Sequence, residues 1–523
     1  MHVRMRLFLM PLFFLGCLFD TKNSPAGDAY SVDAAGLPPA QATRVIEAKA
    51  GDTLRLKVEY VRKEIAGRNV RMLGFNGSIP GPTLKVPQGA EITVILTNGS
   101  DVPMTLHSHG VRLDYHFDGV DGYTQKAVAP GDSFVYRLHF PDAGVFWYHS
   151  HYREDFTQEM GLYGNFIVVP ADSTYWNPVD REVTLVLDDI QLDSGAMHPF
   201  RVSETDHTLM GRFGSTLLIN GDTGYTLTVK RKEVVRFYVT NAANARVFNF
   251  GIDQSQLKIA GGDNGRYETS VFSPLELIAP GERSVFEVYF NDTATHEILH
   301  STPGQTFVMG RIRVTADMVG SGNDSNFFSQ QDTCAQVIHS IDPFRPYFGK
   351  EPDEELILTG TMGAMAMDSP PMPMAMKIAA PEHDPQALDG MGIEWTDHMA
   401  DVNEASTTRN MRWIIRDKRT GLENHDILWK FKTGDKVMIR IYNDSAGAHP
   451  MPHPIHFHGQ RFLVVNVNGK RNFNMAWKDT FLIGRGATAD LLLDASNPGS
   501  WMAHCHIAEH MEDMMMFFFR IED

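Results

Sequence analysis

Cysteine is scarce in this chain of 523 residues, in which only Cys17, Cys334 and Cys505 occur. Three cysteines cannot build the disulfide framework that many small exported proteins use. Cys505 lies between two histidines, where binding a metal competes with disulfide pairing. Cys334 lies in a polar stretch, and we assign it no function. The 43% hydrophobic composition is that of a globular protein able to bury a core.

Basic residues are fewer than acidic residues, and long apolar runs are rare. Lys and Arg number 47 against 64 Asp and Glu, and the net charge of −17 argues against nucleic acid or an anionic membrane as a partner. The long apolar run, residues 7–18, follows Arg4 and Arg6 and is too short for a permanent membrane anchor. We interpret residues 1–22 as a secretory signal peptide. The mature protein is then exported to the periplasm or cell envelope.

Residues 14–17 resemble a bacterial lipoprotein cleavage box, which would make Cys17 a lipid anchor. Phe14 is unusual in such a box, so a plain signal peptide with an incidental cysteine stands as the alternative. The mature chain is accordingly expected to be soluble or lipid-tethered, and its oligomeric state is left open.

Helical periodicity is almost absent, whereas strand patterns repeat. An alternating apolar segment that ends on Asn occurs three times, at residues 89–98, 232–241 and 434–443. A second strand-like element follows each copy, at residues 128–140, 278–290 and 483–495. These repeats predict an all-β fold of three tandem β-sandwich domains. We place the domains at residues 41–172, 180–318 and 401–523, with a linker and insertion at 319–400.

Histidines recur in four His-x-His pairs: His107/His109, His149/His151, His456/His458 and His504/His506. Residues i and i+2 of a strand face the same side, so each pair presents two imidazoles together. The second repeat has Phe-Asn-Phe-Gly at residues 248–251 instead and lacks a later pair. Eight imidazoles suit three metal ions, with two ligands on one ion and three on each of the others. Structural histidines or a zinc site are the alternatives, and any metal belongs between domains one and three.

A second metal site is predicted from His453, Cys505, His510 and Met515. Two imidazoles, a thiolate and a weak thioether are the ligands of a blue copper electron-transfer centre. Cys505 points away from His504 and His506 along the strand, so one tripeptide would connect two metal sites. Ser150 fills the equivalent position in the first repeat, so we expect a single blue site.

These motifs closely resemble those of the multicopper oxidase family, which includes laccases, bacterial cuprous oxidases and copper-resistance oxidases. The resemblance rests on His-x-His-Gly, Trp-Tyr-His-Ser-His, His-Pro-Ile-His-Phe-His-Gly and His-Cys-His-x-x-x-His, in that order. It covers residues from about 41 to the C-terminus. It implies cupredoxin-like Greek-key domains and four copper ions, one of type 1, one of type 2 and two of type 3.

The resemblance also implies which side chain binds which ion. His107 and His456 correspond to type 2 ligands. The two type 3 ions would be held by His109, His149 and His506, and by His151, His458 and His504. Met515, ten positions after Cys505, corresponds to an axial type 1 ligand.

Reduction of O₂ to water consumes protons, so acidic residues near the metal are expected. Asp118 matches the acidic residue that the family places near the trinuclear cluster, although an Asp before Gly is also common in turns. Many bacterial members have Glu directly after the last ligand histidine, whereas Met511 follows His510 here. Glu512 is our candidate for that relay, with Glu509 and Asp513 as alternatives.

Methionines crowd the segment before the third repeat: Met362, Met365, Met367, Met372, Met374, Met376, Met391 and Met399. Prolines at 370, 371 and 373 exclude a regular helix through its centre. Thioethers are soft ligands that select Cu(I), but a methionine-rich flap over a substrate opening would look the same. Met451 corresponds to a substrate-copper ligand of cuprous oxidases, and His449 stands where that subfamily has an acid. We name Met451, Met362, Met365 and Met367 as candidate substrate-copper ligands.

The sequence thus predicts an enzyme that oxidises Cu(I), and less selectively phenols or aromatic amines, while reducing O₂ to water. A role in copper tolerance follows from that donor. A laccase with an organic donor is one alternative, and a periplasmic copper-binding protein without catalysis is another. The Cys505 bridge argues against the binding protein because metal storage needs no link between sites. The paired type 3 ligands argue against a copper nitrite reductase.

Overall fold

The computed structural model describes residues 28–193, 195–329, 332–363 and 392–523. The predicted signal peptide with Cys17 lies outside these residues, as do Met365 and Met367 of the predicted substrate site. The described chain is organised as three consecutive pairs of β-sheets. Among its helices we find none that is long and apolar enough to cross a membrane.

The first pair of sheets is built from residues 45–169. A four-stranded sheet of order β3-β2-β5-β7 packs with a five-stranded sheet of order β1-β4-β9-β8-β6. The strands are β1 Val45–Glu47, β2 Thr53–Ile65, β3 Arg68–Phe75, β4 Thr83–Pro87, β5 Glu91–Asn98, β6 His107–His109, β7 Ser133–His139, β8 Gly144–His149 and β9 Tyr163–Val169.

The second pair is built from residues 181–318. Its sheets have the orders β13-β10-β15-β20-β17-β18 and β14-β22-β21-β16-β19, with β11 and β12 as a separate ribbon. The strands are β10 Arg181–Ile190, β11 Leu192–Asp193, β12 Ala196–Met197, β13 Thr216–Ile219, β14 Tyr225–Arg231, β15 Glu233–Asn241, β16 Phe248–Ile252, β17 Leu257–Gly262, β18 Gly265–Ser273, β19 Leu275–Ile278, β20 Arg283–Phe290, β21 Thr295–Ser301 and β22 Thr306–Met318.

The third pair is built from residues 354–522. Its sheets have the orders β24-β23-β26-β31-β28-β29 and β25-β33-β32-β27-β30. The strands are β23 Glu354–Met362, β24 Met411–Asp417, β25 Leu428–Lys432, β26 Lys436–Asn443, β27 His453–Phe457, β28 Arg461–Val467, β29 Lys470–Arg471, β30 Thr480–Ile483, β31 Thr488–Asp494, β32 Gly499–Cys505 and β33 Met516–Glu522.

The helices of the described chain are short, at three to seven residues. The α-helices are α1 Glu154–Thr157, α2 Asp324–Phe327, α3 Ala335–Ile341, α4 Ala400–Ala405 and α5 Ala508–Glu512. The 3₁₀ helices are Tyr115–Phe117, Asp342–Tyr347 and Asn424–Asp426. This architecture confirms the predicted all-β fold of three tandem β-sandwiches.

The sequence repeats occupy equivalent places in the three sandwiches. In each one, the strand from the first repeated element pairs antiparallel with the strand from the second: β5 with β7, β15 with β20, and β26 with β31. Alternation along β5 buries Ile92, Val94 and Leu96 at 1% exposure or less, which accounts for the period-two pattern. The repeat therefore encodes the central antiparallel pair of each sandwich.

The third sandwich begins earlier than the sequence suggested. Strand β23, Glu354–Met362, lies inside the range 319–400 that we had assigned to a linker and insertion, yet it pairs with β24 and with β26. Leu356 and Leu358 of this strand are buried and belong to the main core. We therefore correct that boundary: the insertion separates β23 from β24 within the third sandwich.

The cores explain where a site can form. Buried apolar side chains of the first and third sandwiches, for example Val58 and Leu491, belong to one continuous cluster, whereas the second sandwich has a cluster of its own. The first and third sandwiches, although far apart in sequence, thus pack directly on each other. The histidine pairs of the two sandwiches are brought together by that packing.

Candidate metal centres

The paired histidines meet where the first and third sandwiches face each other. Strand β6 pairs with β8 so that His107 is opposite His149, and β27 pairs with β32 so that His456 is opposite His504. Rings then stack across the interface: the centroids of His109 and His456 are 3.7 Å apart, and those of His107 and His458 are 4.1 Å apart. All eight histidines are at most 5% exposed.

Their ring nitrogens fall into groups that can each hold one ion. Within a group, the candidate ligand atoms all lie within 4.8 Å of one another. The groups are His109, His149 and His506; His151, His458 and His504; and His107, His109 and His456. The first two coincide with the two predicted type 3 ligand sets, and the third contains the predicted type 2 pair.

In several of these rings one nitrogen is hydrogen-bonded, and the other nitrogen remains free to bind a metal. In His149, His456 and His504 the Nδ1 atom is hydrogen-bonded to a backbone carbonyl, at 3.0, 2.9 and 2.9 Å. A neutral imidazole that donates from Nδ1 presents the lone pair of Nε2 to a metal. Within the described chain, buried nitrogens of six of the eight rings lack a hydrogen-bond partner: His107, His109, His149, His151, His456 and His506.

Such orphaned nitrogens are costly unless a metal occupies the space between them. The remaining two rings, His458 and His504, have their Nε2 atoms only 3.0 Å apart. Burial lowers the pKa of His458 to about 3, so this imidazole is neutral and able to coordinate at neutral pH. The residues therefore fit a cluster of metal ions with imidazole ligands.

Asp118 lies directly against this cluster, as the sequence suggested. Its Oδ2 accepts a hydrogen bond from Nδ1 of His458 at 2.8 Å, and its carbonyl accepts one from Nδ1 of His107 at 2.7 Å. Burial alone raises the pKa of the carboxyl, but His458 and His107 outweigh it and hold that pKa well below its usual range. Asp118 is thus a buried carboxylate that orients two of the imidazoles.

A second buried carboxylate, Asp479, was missed by the sequence analysis. Its Oδ1 lies 3.0 Å from Nε2 of His109, and its carbonyl accepts from His456. Arg283 of the second sandwich donates to both carboxylate oxygens, at 2.7 and 2.5 Å. The signal that could have found it is an Asp just before β30, next to the third repeat. Its partner comes from a different domain and could not be inferred from spacing.

The second sandwich also closes the cluster sterically. Gly281 has a φ of +81°, and a Cβ atom placed there would lie 2.7 Å from the ring of His506. The second domain lacks the histidine pairs, but it contributes Gly281 and Arg283 to the wall of the site. It is therefore more than a spacer.

The residues of the predicted blue site surround the side chain of Cys505, whereas its neighbours His504 and His506 belong to the histidine groups. Its Sγ lies 3.4 Å from Nδ1 of His453 and 3.8 Å from Nδ1 of His510, and all three residues are at most 1% exposed. Burial raises the pKa of the Cys505 thiol and lowers that of His453 to about 3. A bound metal would offset the cost of the buried thiolate. Met515 is fully buried, and its carbonyl accepts from the Cys505 N–H at 3.0 Å.

Met515→Leu tests the axial ligand. We expect the blue absorption to persist and the reduction potential to rise, because loss of the weak thioether donor favours Cu(I). Redox titration of both proteins measures this, with Met516→Leu, a buried neighbour outside this ligand group, as the control. An unchanged or lower potential in Met515→Leu would show that Met515 is not axial.

Trp413 is a further residue of the blue site that the sequence did not reveal. Its ring lies 4.2 Å from that of His510 and 4.9 Å from that of His453, measured between centroids. Its backbone N–H donates to Asp513, which was one alternative for the proton relay, at 2.6 Å. Asp513 therefore supports the blue site. Trp413 lies on β24, and its approach to the ligands depends on the packing of the two sheets.

Of the other two relay candidates, Glu512 contacts a residue that we had not named, Glu154. Glu512 accepts a hydrogen bond from the N–H of Glu154 at 2.9 Å, and Glu509 accepts one from Asn244 at 3.0 Å. The Glu154 carboxyl lies 3.3 Å from Nε2 of His151 and is fully buried. Glu154 thus lies between Glu512 and the histidines. It comes three residues after a ligand, a spacing that could have drawn attention to it.

A smaller cluster lies beside the blue site. Burial, then Asp397, raises the pKa of Glu394 to about 8. The Glu394 carboxyl lies 3.3 Å from Nδ1 of His398 and 3.7 Å from Nε2 of His449, and among the described residues neither nitrogen has a hydrogen-bond partner. His449 is close enough to His453 to lower its pKa further. Glu394, His398 and His449 together form what we call the outer cluster.

The two described methionines of the predicted substrate site differ in position. Met451 is 1% exposed, and its carbonyl accepts a hydrogen bond from Asn443 at 2.6 Å. It lies two residues before His453 and between that ligand and His449 in sequence. Met362 is the last residue of β23, where it is opposite Met411 and packs against the main core. Met451 is thus tied to the blue site, whereas Met362 belongs to the sheet.

Comparisons with known proteins agree with this arrangement. Family models described as multicopper oxidase match residues 57–173 and 395–523. The chain is 23% identical to a copper resistance protein A homolog of Pseudomonas syringae pv. tomato, over 91% of this chain and 93% of that protein. It is 24% identical to the multicopper oxidase MmcO of Mycobacterium tuberculosis, over 94% of this chain and 90% of that protein.

A solved structure shares the fold along the whole chain. The multicopper oxidase from Campylobacter jejuni, described as a metallo-oxidase, superimposes with a TM-score of 0.67 at 19% identity, covering 94% of this chain and 99% of that one. The two family models lie on the two sandwiches that supply the histidines. With these matches and the buried imidazole and thiolate groups, the chain belongs to the multicopper oxidase family of copper-dependent oxidoreductases.

Proposed function

We propose that this protein oxidises Cu(I) at a type 1 copper and reduces O₂ to water at a trinuclear cluster, as part of copper tolerance. The observation that carries the proposal is the position of Cys505. Its thiol lies in the group with His453 and His510, while His504 and His506 belong to two different histidine groups. Copper supplies the one-electron chemistry, so that four Cu(I), four protons and O₂ give four Cu(II) and two waters.

The chain itself holds the two sites a fixed distance apart. Strand β32 ends at Cys505, and its pairing with β27 sets Cys505 opposite Ile455 and His504 opposite His456. Side chains alternate along a strand, which turns the thiol and the imidazoles in opposite directions. A covalent path of one residue therefore separates the electron acceptor from the site of O₂ reduction.

Acidic residues border the histidine groups on two sides. Asp118 accepts a hydrogen bond from His458, and Glu154 stands between Glu512 and His151. The buried carboxyl of Glu154 has a raised pKa, for which burial is the main cause and Glu512 the next. A protonated Glu154 could deliver a proton that Glu512 replaces, whereas Asp118 orients the imidazoles of His458 and His107. We propose these roles for the two sides.

A metal donor is favoured by the outer cluster and by Met451. Imidazole, carboxylate and thioether groups are all copper ligands. Here His449 lies near His453, Glu394 lies near His449, and Met451 precedes His453 by two residues. The relative described as a copper resistance protein and the structure described as a metallo-oxidase support the same class of donor. Export to the cell envelope, with Cys17 as a possible anchor, is part of this proposal.

Substitutions at the outer cluster test the donor. In Glu394→Gln and Met451→Leu we expect kcat/KM for Cu(I) to fall about tenfold, with little change for a phenol, because these groups contact only the metal donor. Met438→Leu, buried on β26 in a different part of the third sandwich, is the control. Steady-state rates with both donors are measured after copper content has been matched.

Three other outcomes would each contradict the proposal. An equal loss for both donors at full copper loading would make the cluster structural. An unchanged rate with Cu(I) would favour a laccase whose donor is organic. Failure to oxidise either donor, with all coppers bound, would leave a copper-binding protein without catalysis.

A further inference from the structure

A cavity of about 450 Å³ lies between the second and third sandwiches and includes no metal ligand predicted above among its lining residues. One wall is apolar and is formed by residues that include Leu277, Val464, Phe481 and Leu482. Its volume is within the range of small-molecule sites, which are mainly apolar with a few polar groups. The cavity is therefore large enough for a ligand of one or two rings.

The lining also includes charged side chains, some of which have an ion-pair partner and one of which does not. Lys478 is held by Asp263 at 3.0 Å and by Glu282 at 3.3 Å, so its charge is already compensated twice. Glu276 accepts a hydrogen bond from the hydroxyl of Ser284 at 3.0 Å. Within the residues that the structure covers, no Lys, Arg or His lies within ion-pair distance of the Glu276 carboxylate. In the described part of the chain, Glu276 is thus an acidic group of the lining without an ion-pair partner, whereas Lys478 and Arg283 of the same lining are both paired.

Burial makes ionisation of the Glu276 carboxyl costly. Removal from water raises the pKa of Glu276 to about 7, the hydrogen bond from Ser284 and the charge of Lys478 acting in the opposite direction. A carboxylate in such surroundings gains from a cationic partner more than an exposed one does. Glu282 raises this pKa further, although it is itself paired with Lys478. The polar wall is therefore suited to a positively charged head group.

We propose that this cavity binds a small arylalkyl ammonium ion, with its rings against Phe481 and Leu482 and its ammonium group against Glu276. An anion would meet the acidic wall, and an inorganic cation would leave the apolar wall exposed to water. This binding does not depend on which donor the enzyme oxidises.

The position of the cavity makes binding relevant to the metal centres. Phe481, Leu482 and Ile483 belong to β30, which pairs with β27 so that Ile483 is opposite His453. Thr480, the first residue of the same strand, lies 3.0 Å from Nε2 of His109 through its hydroxyl. A ligand in the cavity would therefore contact the strand that borders both centres.

Binding is tested with the copper-loaded full chain and two probes that resist oxidation, 1-naphthylmethylamine and its uncharged counterpart 1-naphthalenemethanol. Titration calorimetry should show the amine binding more tightly than the alcohol. Glu276→Gln should weaken the amine about tenfold and leave the alcohol unchanged, because only the charged hydrogen bond is lost. Ala487 lines the cavity just before β31, so Ala487→Phe, which fills part of the cavity, should weaken the binding of both probes.

Glu297→Gln on β21, whose side chain is 40% exposed and which is not part of the cavity lining, is the matched control and should bind like the unchanged protein. Blue absorption and thermal midpoint confirm that each variant is folded and loaded. Absence of binding by either probe, equal weakening of amine and alcohol in Glu276→Gln, or full binding by Ala487→Phe would each overturn the proposal. Because neither probe is oxidised, these results are independent of whether Cu(I) is the donor.

Discussion

Cys505→Ser is expected to abolish the blue absorption and to reduce oxidation of every donor to the background rate. A serine hydroxyl cannot supply the thiolate that makes the charge-transfer band, and the covalent path to His504 and His506 loses its first atom. The three histidine groups do not include Cys505, so their capacity for copper should remain. Absorption spectra, copper analysis and steady-state rates with a metal and an organic donor measure the three effects.

Cys334→Ser is a matched control for this substitution. Cys334 is also buried, at 5% exposure, and packs in a cluster of the third sandwich away from the ligands. We expect its serine variant to stay blue and active. A Cys505→Ser protein that remained blue would contradict the assignment of the electron-accepting site, and one that lost all copper would point to collapse of the interface.

Asp118→Asn is expected to leave reduction of the blue copper at its normal rate and to slow reoxidation by O₂ about 10- to 100-fold. The amide oxygen can still accept the hydrogen bond from His458, but the negative charge beside His458 and His107 is lost. Stopped-flow measurements separate the two half-reactions, because reduction without O₂ involves only the donor and the blue site.

Asp114→Asn is the control for Asp118→Asn. Asp114 precedes the same 3₁₀ helix, Tyr115–Phe117, and its side chain accepts from the His116 N–H, which an amide oxygen can also do. Both half-reactions should be unchanged in this variant. If Asp118→Asn were reoxidised at the original rate, Asp118 would have only a structural role in its turn. If the blue copper were reduced slowly in this variant, the effect of Asp118 would lie at the blue site.

Much of the fold and many of the candidate ligands could be predicted because they depend on local geometry. The period-two alternation of residues 89–98 gives β5 one buried face, whereas the equivalent strand β15 is buried on both faces and β26 at most of its positions. The same alternation turns both members of a His-x-His pair to one side. It also separates Cys505 from its neighbouring histidines. None of these inferences requires knowledge of what packs against the strand.

Other features could not be predicted because they depend on where distant segments come to lie. The contact of Asp479 with Arg283 joins residues 196 positions apart, and that of Asp118 with His458 joins residues 340 apart. Nothing in the local sequence distinguishes Glu154 from other acidic residues. Its importance follows from the packing of its helix beside α5, which brings Glu512 to the N–H of Glu154. The boundary of β23 was missed for a related reason, since its partners β24 and β26 lie beyond the insertion.

The sequence by itself thus determined the β architecture, the kinds of ligand and the direction each ligand faces. Only the tertiary structure decided which histidines share a group, because rings such as His109 and His456 meet through the packing of two sandwiches. It also decided that the second domain closes the cluster with Gly281 and Arg283. The physical reason is that side-chain direction follows from the backbone period, whereas the apposition of separate domains follows from burial of their shared apolar surface.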